Sequence, residues 1–229
     1  MYTVIAGGHG RVALLLTRLL TDRGHRVSGI IRRSGQAGRV RAAGAEPVLL
    51  DLATATAPQL AKVLDGADAV VYAAGIGLGD TNGRADPADR DAALTLADAA
   101  GLAGVRRYLM LSAMGADPAQ RYPDDPRVEV YLRAKGEADE NLLARPALDC
   151  TVVRPAWLRD GTGTGRVRLA ETTGVGDITR ADVAAVIAAL LDTPATAGLT
   201  LELISGTVPI TEAVAATVGR PARALDRQR

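Results

Sequence analysis

Tyr131 and Lys135 stand four residues apart in the stretch 127–145, whose apolar spacing predicts a helix. That spacing puts both side chains on one helical face, so a phenol and an ammonium can share one wall of a site. Together they could deliver a proton: the phenol gives it up, and the nearby cation stabilises the anion left behind. The chain has only two lysines, Lys62 and Lys135, among 27 basic residues, so chance is a poor explanation of this pair. A half-exposed tyrosine beside a solvated lysine is the structural alternative. Ser112 follows the predicted strand 105–111, where its hydroxyl could bind a substrate oxygen or simply cap the strand end.

A second cluster with chemical potential lies at the start. The predicted strand 2–6 runs into Gly7-Gly8-His9-Gly10-Arg11-Val12-Ala13, and a helical pattern follows. A diphosphate is held by backbone N–H groups at the positive end of a helix, and a Cβ at the closest approach would keep it out. Glycines at a strand-to-helix turn meet that need, and Ala13 is small enough for the helix to pack on the strand. An ordinary tight turn would look similar, but the place at the first strand of a βαβ series points to a dinucleotide held by residues 7–12.

The end of the second strand selects between dinucleotides. An acid there would bond the ribose hydroxyls of NAD(H), and a base would pair with the 2′-phosphate of NADP(H). This strand ends Ile30-Ile31-Arg32-Arg33-Ser34, and no Asp or Glu occurs between Asp22 and Glu46. NADP(H) is therefore expected over NAD(H), with Arg32 and Arg33 as the phosphate ligands. Arg11 could also reach that phosphate or be a solvated first-turn arginine. Asp51, after the third strand, could meet the adenine amino group or cap a turn.

The elements that must position these groups are legible as alternation. Short β-type apolar runs near 2–6, 26–31, 46–50, 68–73, 105–111 and 148–153 alternate with helical patterns near 10–23, 36–43, 57–65, 86–103 and 127–145. That is the pattern of an α/β fold with a doubly wound parallel sheet. Beyond Pro155 the pattern changes to a Gly/Thr-rich stretch at 160–165, a short hairpin, a helix near 180–192, a strand near 199–204 and a last short helix. A single domain is expected over 1–229, with residues 155–229 forming a small substrate-binding lobe.

Composition narrows the partners. With 27 Lys+Arg against 26 Asp+Glu the formal charge is +1, too little for a field that holds nucleic acid or anionic lipid. There is no Phe and one Trp, which leaves few platforms for stacked bases. Two histidines and one cysteine offer no metal cluster and no internal disulfide. The longest aliphatic stretch, Val183 to Leu191, is far shorter than a membrane span. A soluble cytoplasmic protein acting on a small molecule is expected, with monomer and homodimer both open.

Gly7-x-x-Gly10-x-x-Ala13, Arg32, Asp51-Leu52, Ala73-Ala74-Gly75, Ser112, Tyr131-x-x-x-Lys135 and Arg154-Pro155-Ala156 together resemble the short-chain dehydrogenase/reductase superfamily. The block Ile178-Thr179-Arg180-Ala181-Asp182-Val183-Ala184 most resembles its atypical NAD(P)H-binding, nucleoside-diphosphate-sugar-epimerase-like group. The resemblance implies a Rossmann-type sheet and a catalytic triad of Ser112, Tyr131 and Lys135. It also implies that Asp51, Leu52, Ala73, Ala74 and Gly75 line the cofactor, with Pro155 and Ala156 near the nicotinamide amide. In many relatives the fourth helix offers an Asn; here it opens Asp89-Arg90-Asp91, and Asp89 is left out of the expected site. The expected activity is NADPH-dependent carbonyl reduction or its reverse. A sugar-nucleotide epimerase or dehydratase that retains its cofactor is the alternative, and a non-catalytic NADP(H) sensor a third. Substrate specificity is expected in the loops 75–84, 114–126 and 157–173.

Overall fold

The computed structural model describes residues 1–75, 85–119, 121, 122 and 124–218, with the backbone alone described for 85–88. The expected loop 75–84 therefore lies outside the described residues beyond Gly75, as does the Arg-rich end after Val218.

The strands expected in the first two-thirds of the chain are β1 (Tyr2–Ala6), β2 (Arg26–Ile31), β3 (Glu46–Leu49), β4 (Ala69–Tyr72), β5 (Arg107–Leu111) and β6 (Asp149–Pro155). The helices between them are α1 (Arg11–Thr21), α2 (Ala37–Ala42), α3 (Ala57–Val63), α4 (Ala85–Ala103) and α5 (Pro126–Leu143). Beyond β6 come β7 (Trp157–Arg159), β8 (Arg166–Ala170), β9 (Asp177–Thr179), α6 (Arg180–Leu191), β10 (Thr200–Ser205), β11 (Val208–Pro209) and α7 (Ile210–Val218).

Among the described residues nine strands form one sheet in the order β11-β8-β10-β6-β5-β4-β1-β2-β3. The run from β3 to β10 is parallel; β8 lies antiparallel to β10, and the short β11, antiparallel to β8, forms that edge. The chain direction reverses its march across the sheet between β1 and β4, which opens a crevice at the carboxyl ends of those strands, where open α/β sheets hold ligands.

Alternate residues of each strand feed two cores, as a period of two requires. Ile5, Val71, Leu109 and Val153 face α1, α2 and α6, while Val4, Tyr72, Met110 and Val152 face α3, α4 and α5. Cys150 is buried in the second core, where burial pushes its thiol up to about 12.

The segment after Pro155 differs from the expected hairpin. β7 pairs with β9, in parallel, as a separate two-stranded sheet, while β8 and β10 join the central sheet. Local pattern identifies a strand, but its partner is set by where α6 returns the chain. One buried cation anchors that return: Arg107 on β5 donates from Nη2 to the Leu190 carbonyl at the end of α6, at 2.6 Å, and from Nη1 to Thr151 Oγ1 at 2.8 Å.

Candidate functional site

The turn between β1 and α1 is built by contact. Gly7 has φ +77°, and a Cβ there would stand 2.6 Å from the Ala74 Cα at the end of β4. A Cβ on Gly8 would stand 2.6 Å from the Cα of Gly29 on β2. Two neighbouring strands thus press against the turn, and only glycine fits. Gly10 is the N-cap of α1 and has no side chain to bond the first-turn N–H groups, leaving those of Arg11 and Val12 as donors for an anion. Val12 itself is buried, so it can serve only through its backbone, and His9 is half-buried.

Arg32 and Arg33 are exposed just past β2, and among the described residues neither makes an ion pair. Arg11 is committed: its Nη1 donates to Asp160 Oδ2 at 2.7 Å. Asp51 is exposed and accepts the Ala53 N–H on Oδ1 at 3.1 Å, and Leu52 packs half-buried on the α3 side of the sheet.

At the ends of β4 and β5 a cleft is lined by Asp89, Arg90, Met110, Tyr131, Ala134, Lys135 and Ala138. Helix α5 presents Tyr131 and Lys135 to it one turn apart. That helix starts where it does because Pro126 sits at N1 and the Asp125 carboxylate caps the Arg127 and Val128 N–H groups. Lys135 is 5% exposed, and its Nζ lies 5.6 Å from the centre of the Tyr72 ring. Tyr72 donates its hydroxyl to the Asp89 carbonyl at 2.8 Å, and burial foremost pushes its phenol up, so it stays neutral and serves as a wall.

Gly75 follows β4 next to two residues of this cleft. A Cβ on it would lie 3.5 Å from Asp89 Oδ2 and 3.6 Å from Lys135 Nζ. A carboxylate and an ammonium thus converge on the space a side chain would have filled. Asp89, left out of the expected site, stands in the cleft wall; its signal was its place at the start of the helix where many relatives offer an Asn. The arrangement suits a nicotinamide dinucleotide: a bare turn for the diphosphate, exposed guanidiniums past β2, and a cleft at the ends of β4 and β5 whose wall carries Tyr131 and Lys135.

Ser112, just past β5, is bonded to the inner side of α5. Its hydroxyl donates to Asp139 Oδ2 at 2.7 Å, and Arg154 Nε donates to the same oxygen at 2.9 Å. Asp139 is fully buried, one turn past Lys135, and among the described residues its Oδ1 has no hydrogen-bond partner. Burial raises its carboxyl above the ordinary range, against the pull of Arg154, Ser112 and Lys135. Neither Asp139 nor Arg154 carried a signal as a pair, because their partnership spans α5 and β6. Near the expected amide contact, the Pro155 carbonyl accepts from Met114 N–H and the Ala156 N–H donates to Leu203, each at 3.0 Å.

Among the described residues no group of His, Cys, Asp and Glu could hold a metal ion, and no helix is long and apolar enough to cross a membrane.

This fold and this glycine turn define a Rossmann-type nucleotide-binding protein of the atypical short-chain dehydrogenase/reductase kind. Residues 7–194 match the model of the NAD(P)H-binding family, and the chain belongs to that family. It is 32% identical over 215 residues to a Bacillus subtilis (strain 168) protein named uncharacterized sugar epimerase YhfK, covering 93% of this chain and 99% of that one. A solved Bacillus halodurans structure with the provisional name NAD-dependent epimerase/dehydratase superposes with TM-score 0.85 at 32% identity, over 94% of this chain and 99% of that one. The oxidoreductase ylbE from Lactococcus lactis has the same fold, with TM-score 0.84 at 24% identity over 98% of this chain and all of that one.

Proposed function

We propose that the protein is an NADPH-dependent oxidoreductase that reduces a carbonyl of a small molecule, or runs the reverse reaction. The observation that carries this reading is the opening of Tyr131 and Lys135, one turn apart on α5, onto the cleft beside Gly75. When bound, the reduced nicotinamide supplies hydride to the carbonyl carbon. Tyr131 donates its phenolic proton to the carbonyl oxygen, so the product is an alcohol. Lys135, buried and charged, favours the tyrosinate left behind and is placed to hold ribose hydroxyls. The exposed Arg32 and Arg33 support NADPH over NADH.

A second reading keeps the cleft and changes the outcome. Two relatives at 32% identity bear epimerase or epimerase/dehydratase names, which supports a reaction in which hydride removed from a sugar nucleotide is returned in the same cycle. Absorbance of the reduced nicotinamide separates the two, since a reductase consumes NADPH mole for mole and an epimerase leaves it unchanged.

The test is a carbonyl panel with NADPH, comparing the natural protein with Tyr131→Phe. Turnover should fall at least about 100-fold with NADPH affinity unchanged. Equal turnover in the two would discard Tyr131 as proton donor.

A further inference from the structure

Arg11 and Arg180 are the first residues of α1 and α6, which pack side by side on one face of the sheet. Their guanidiniums converge on a single carboxylate. Arg11 Nη1 donates to Asp160 Oδ2 at 2.7 Å, and Arg180 Nη1 donates to Asp160 Oδ1 at 2.8 Å. Each carboxylate oxygen therefore has its own arginine, as an oxyanion would have in a two-arginine site.

The surrounding loop is tied down, and the acid lies at its exposed side. Asp182, 1% exposed, accepts the N–H groups of Thr164 and Gly165 and the hydroxyl of Thr179, which ties the stretch 164–165 to the start of α6. The Arg180 side chain is only 16% exposed, whereas that of Asp160 is 66% exposed and precedes Gly161 at φ +135°. A largely buried cation thus faces an acid with solvent on its other side. Exposed ion pairs contribute little, so the carboxylate can be exchanged for a more highly charged group at small cost.

We propose that Arg11 and Arg180 form a phosphate subsite for the dinucleotide, and that Asp160 is the resident anion a phosphoryl group displaces. The inference rests on the reading of the β1–α1 turn as a phosphate site, because Arg11 directly follows Gly10 there. It adds Arg180 as a ligand and makes Asp160 an internal competitor that sets how tightly the cofactor is held. The phosphoryl group can be the diphosphate bridge or the 2′-phosphate, and the two are separable.

The experiment titrates NADP⁺, NAD⁺ and inorganic pyrophosphate calorimetrically into the full chain and into D160N, R180M and the double variant, at low and high salt. Emission of Trp157, the sole tryptophan, three residues before Asp160 and exposed, gives a second readout of the displacement. D160N should bind NADP⁺ about three- to tenfold more tightly at low salt, with the gain shrinking as salt rises. R180M should bind it more weakly, and the gain from D160N should vanish in the double variant. Equal gains for NAD⁺ and NADP⁺ assign the diphosphate, and a gain confined to NADP⁺ assigns the 2′-phosphate. Unchanged or weaker binding by D160N, or a gain that survives R180M, overturns the proposal. If neither dinucleotide binds but D160N gains an Arg180-dependent affinity for pyrophosphate, the subsite stands and the dinucleotide reading falls. If no variant binds any of the three, both fall.

Discussion

Ser112 gives its one hydroxyl proton to Asp139, at 2.7 Å, two helical turns along α5 from Tyr131. A hydroxyl has one donor and two acceptor sites, so with its proton spent Ser112 has only lone pairs left to offer. Asp139 in turn joins α5 to β5 through Ser112 and to β6 through Arg154. The contact fixes the helix that carries Tyr131 and Lys135 against the sheet edge that ends beside them, which makes it a frame for the cleft.

Ser112→Ala should therefore act on stability. Losing a buried hydrogen bond to a charged acceptor costs about 1–3 kcal/mol, read as a lower urea midpoint, while dinucleotide affinity stays as it was. Undiminished stability with abolished turnover would instead put the hydroxyl among the reacting groups.

Asp139 makes stability depend on pH in a definite direction. Burial raises its carboxyl, so the folded state binds the proton more tightly than the unfolded state does. The natural protein should gain stability relative to Asp139→Asn as pH falls from about 7 toward about 4, and lose it as pH rises through the raised value. Paired urea titrations across that range check the sign; the opposite slope would mean that Arg154 and Lys135 outweigh desolvation.

The glycine turn separates folding from binding. At Gly8 an alanine Cβ would meet the backbone of Gly29 at 2.6 Å, and neither strand can yield without breaking the β1–β2 register. Gly8→Ala should cost at least about 2 kcal/mol by overpacking. At Gly10 the nearest atom, the Gly7 carbonyl oxygen, is 3.2 Å away. Gly10→Ala should keep most of the stability and lose NADP⁺ affinity, because its methyl group intrudes on the approach to the α1 N–H groups. Thermal melts and calorimetric titration of the two variants should rank them in opposite orders.

What the sequence made legible was what local periodicity encodes. The six parallel strands through β6 and the five helices among them lie within a few residues of their expected places, since each strand fills two cores with alternate residues. Tyr131 and Lys135 share a cleft because four residues are one helical turn. Pairings between distant segments were not legible. Nothing near Asp139 names Arg154 or Ser112, nothing near Asp160 names Arg11, and Asp89 joins the cleft only because β4 ends opposite the start of α4. β10 reads as a strand in isolation, but its place beside β6 is set by the length of α6 and by Arg107, buried with neutral acceptors on β6 and α6.

Cofactor choice should turn on the guanidiniums past β2. Arg32 and Arg33 are exposed, and among the described residues no acid pairs with them, so their charge is available to a doubly ionised 2′-phosphate. Replacing both, as Arg32→Ser with Arg33→Ser, should weaken NADP⁺ at least about tenfold and leave NAD⁺ nearly unchanged, since a charge-assisted hydrogen bond to phosphate contributes about 1.5–3 kcal/mol. Arg32→Asp goes further by supplying the acid that ribose hydroxyls favour, and should bring the two affinities together or reverse them. The loss should be smaller at high salt, because these side chains are exposed and screened. Parallel loss of both nucleotides would instead place the two arginines at the diphosphate and leave the NADP⁺ preference without a structural basis.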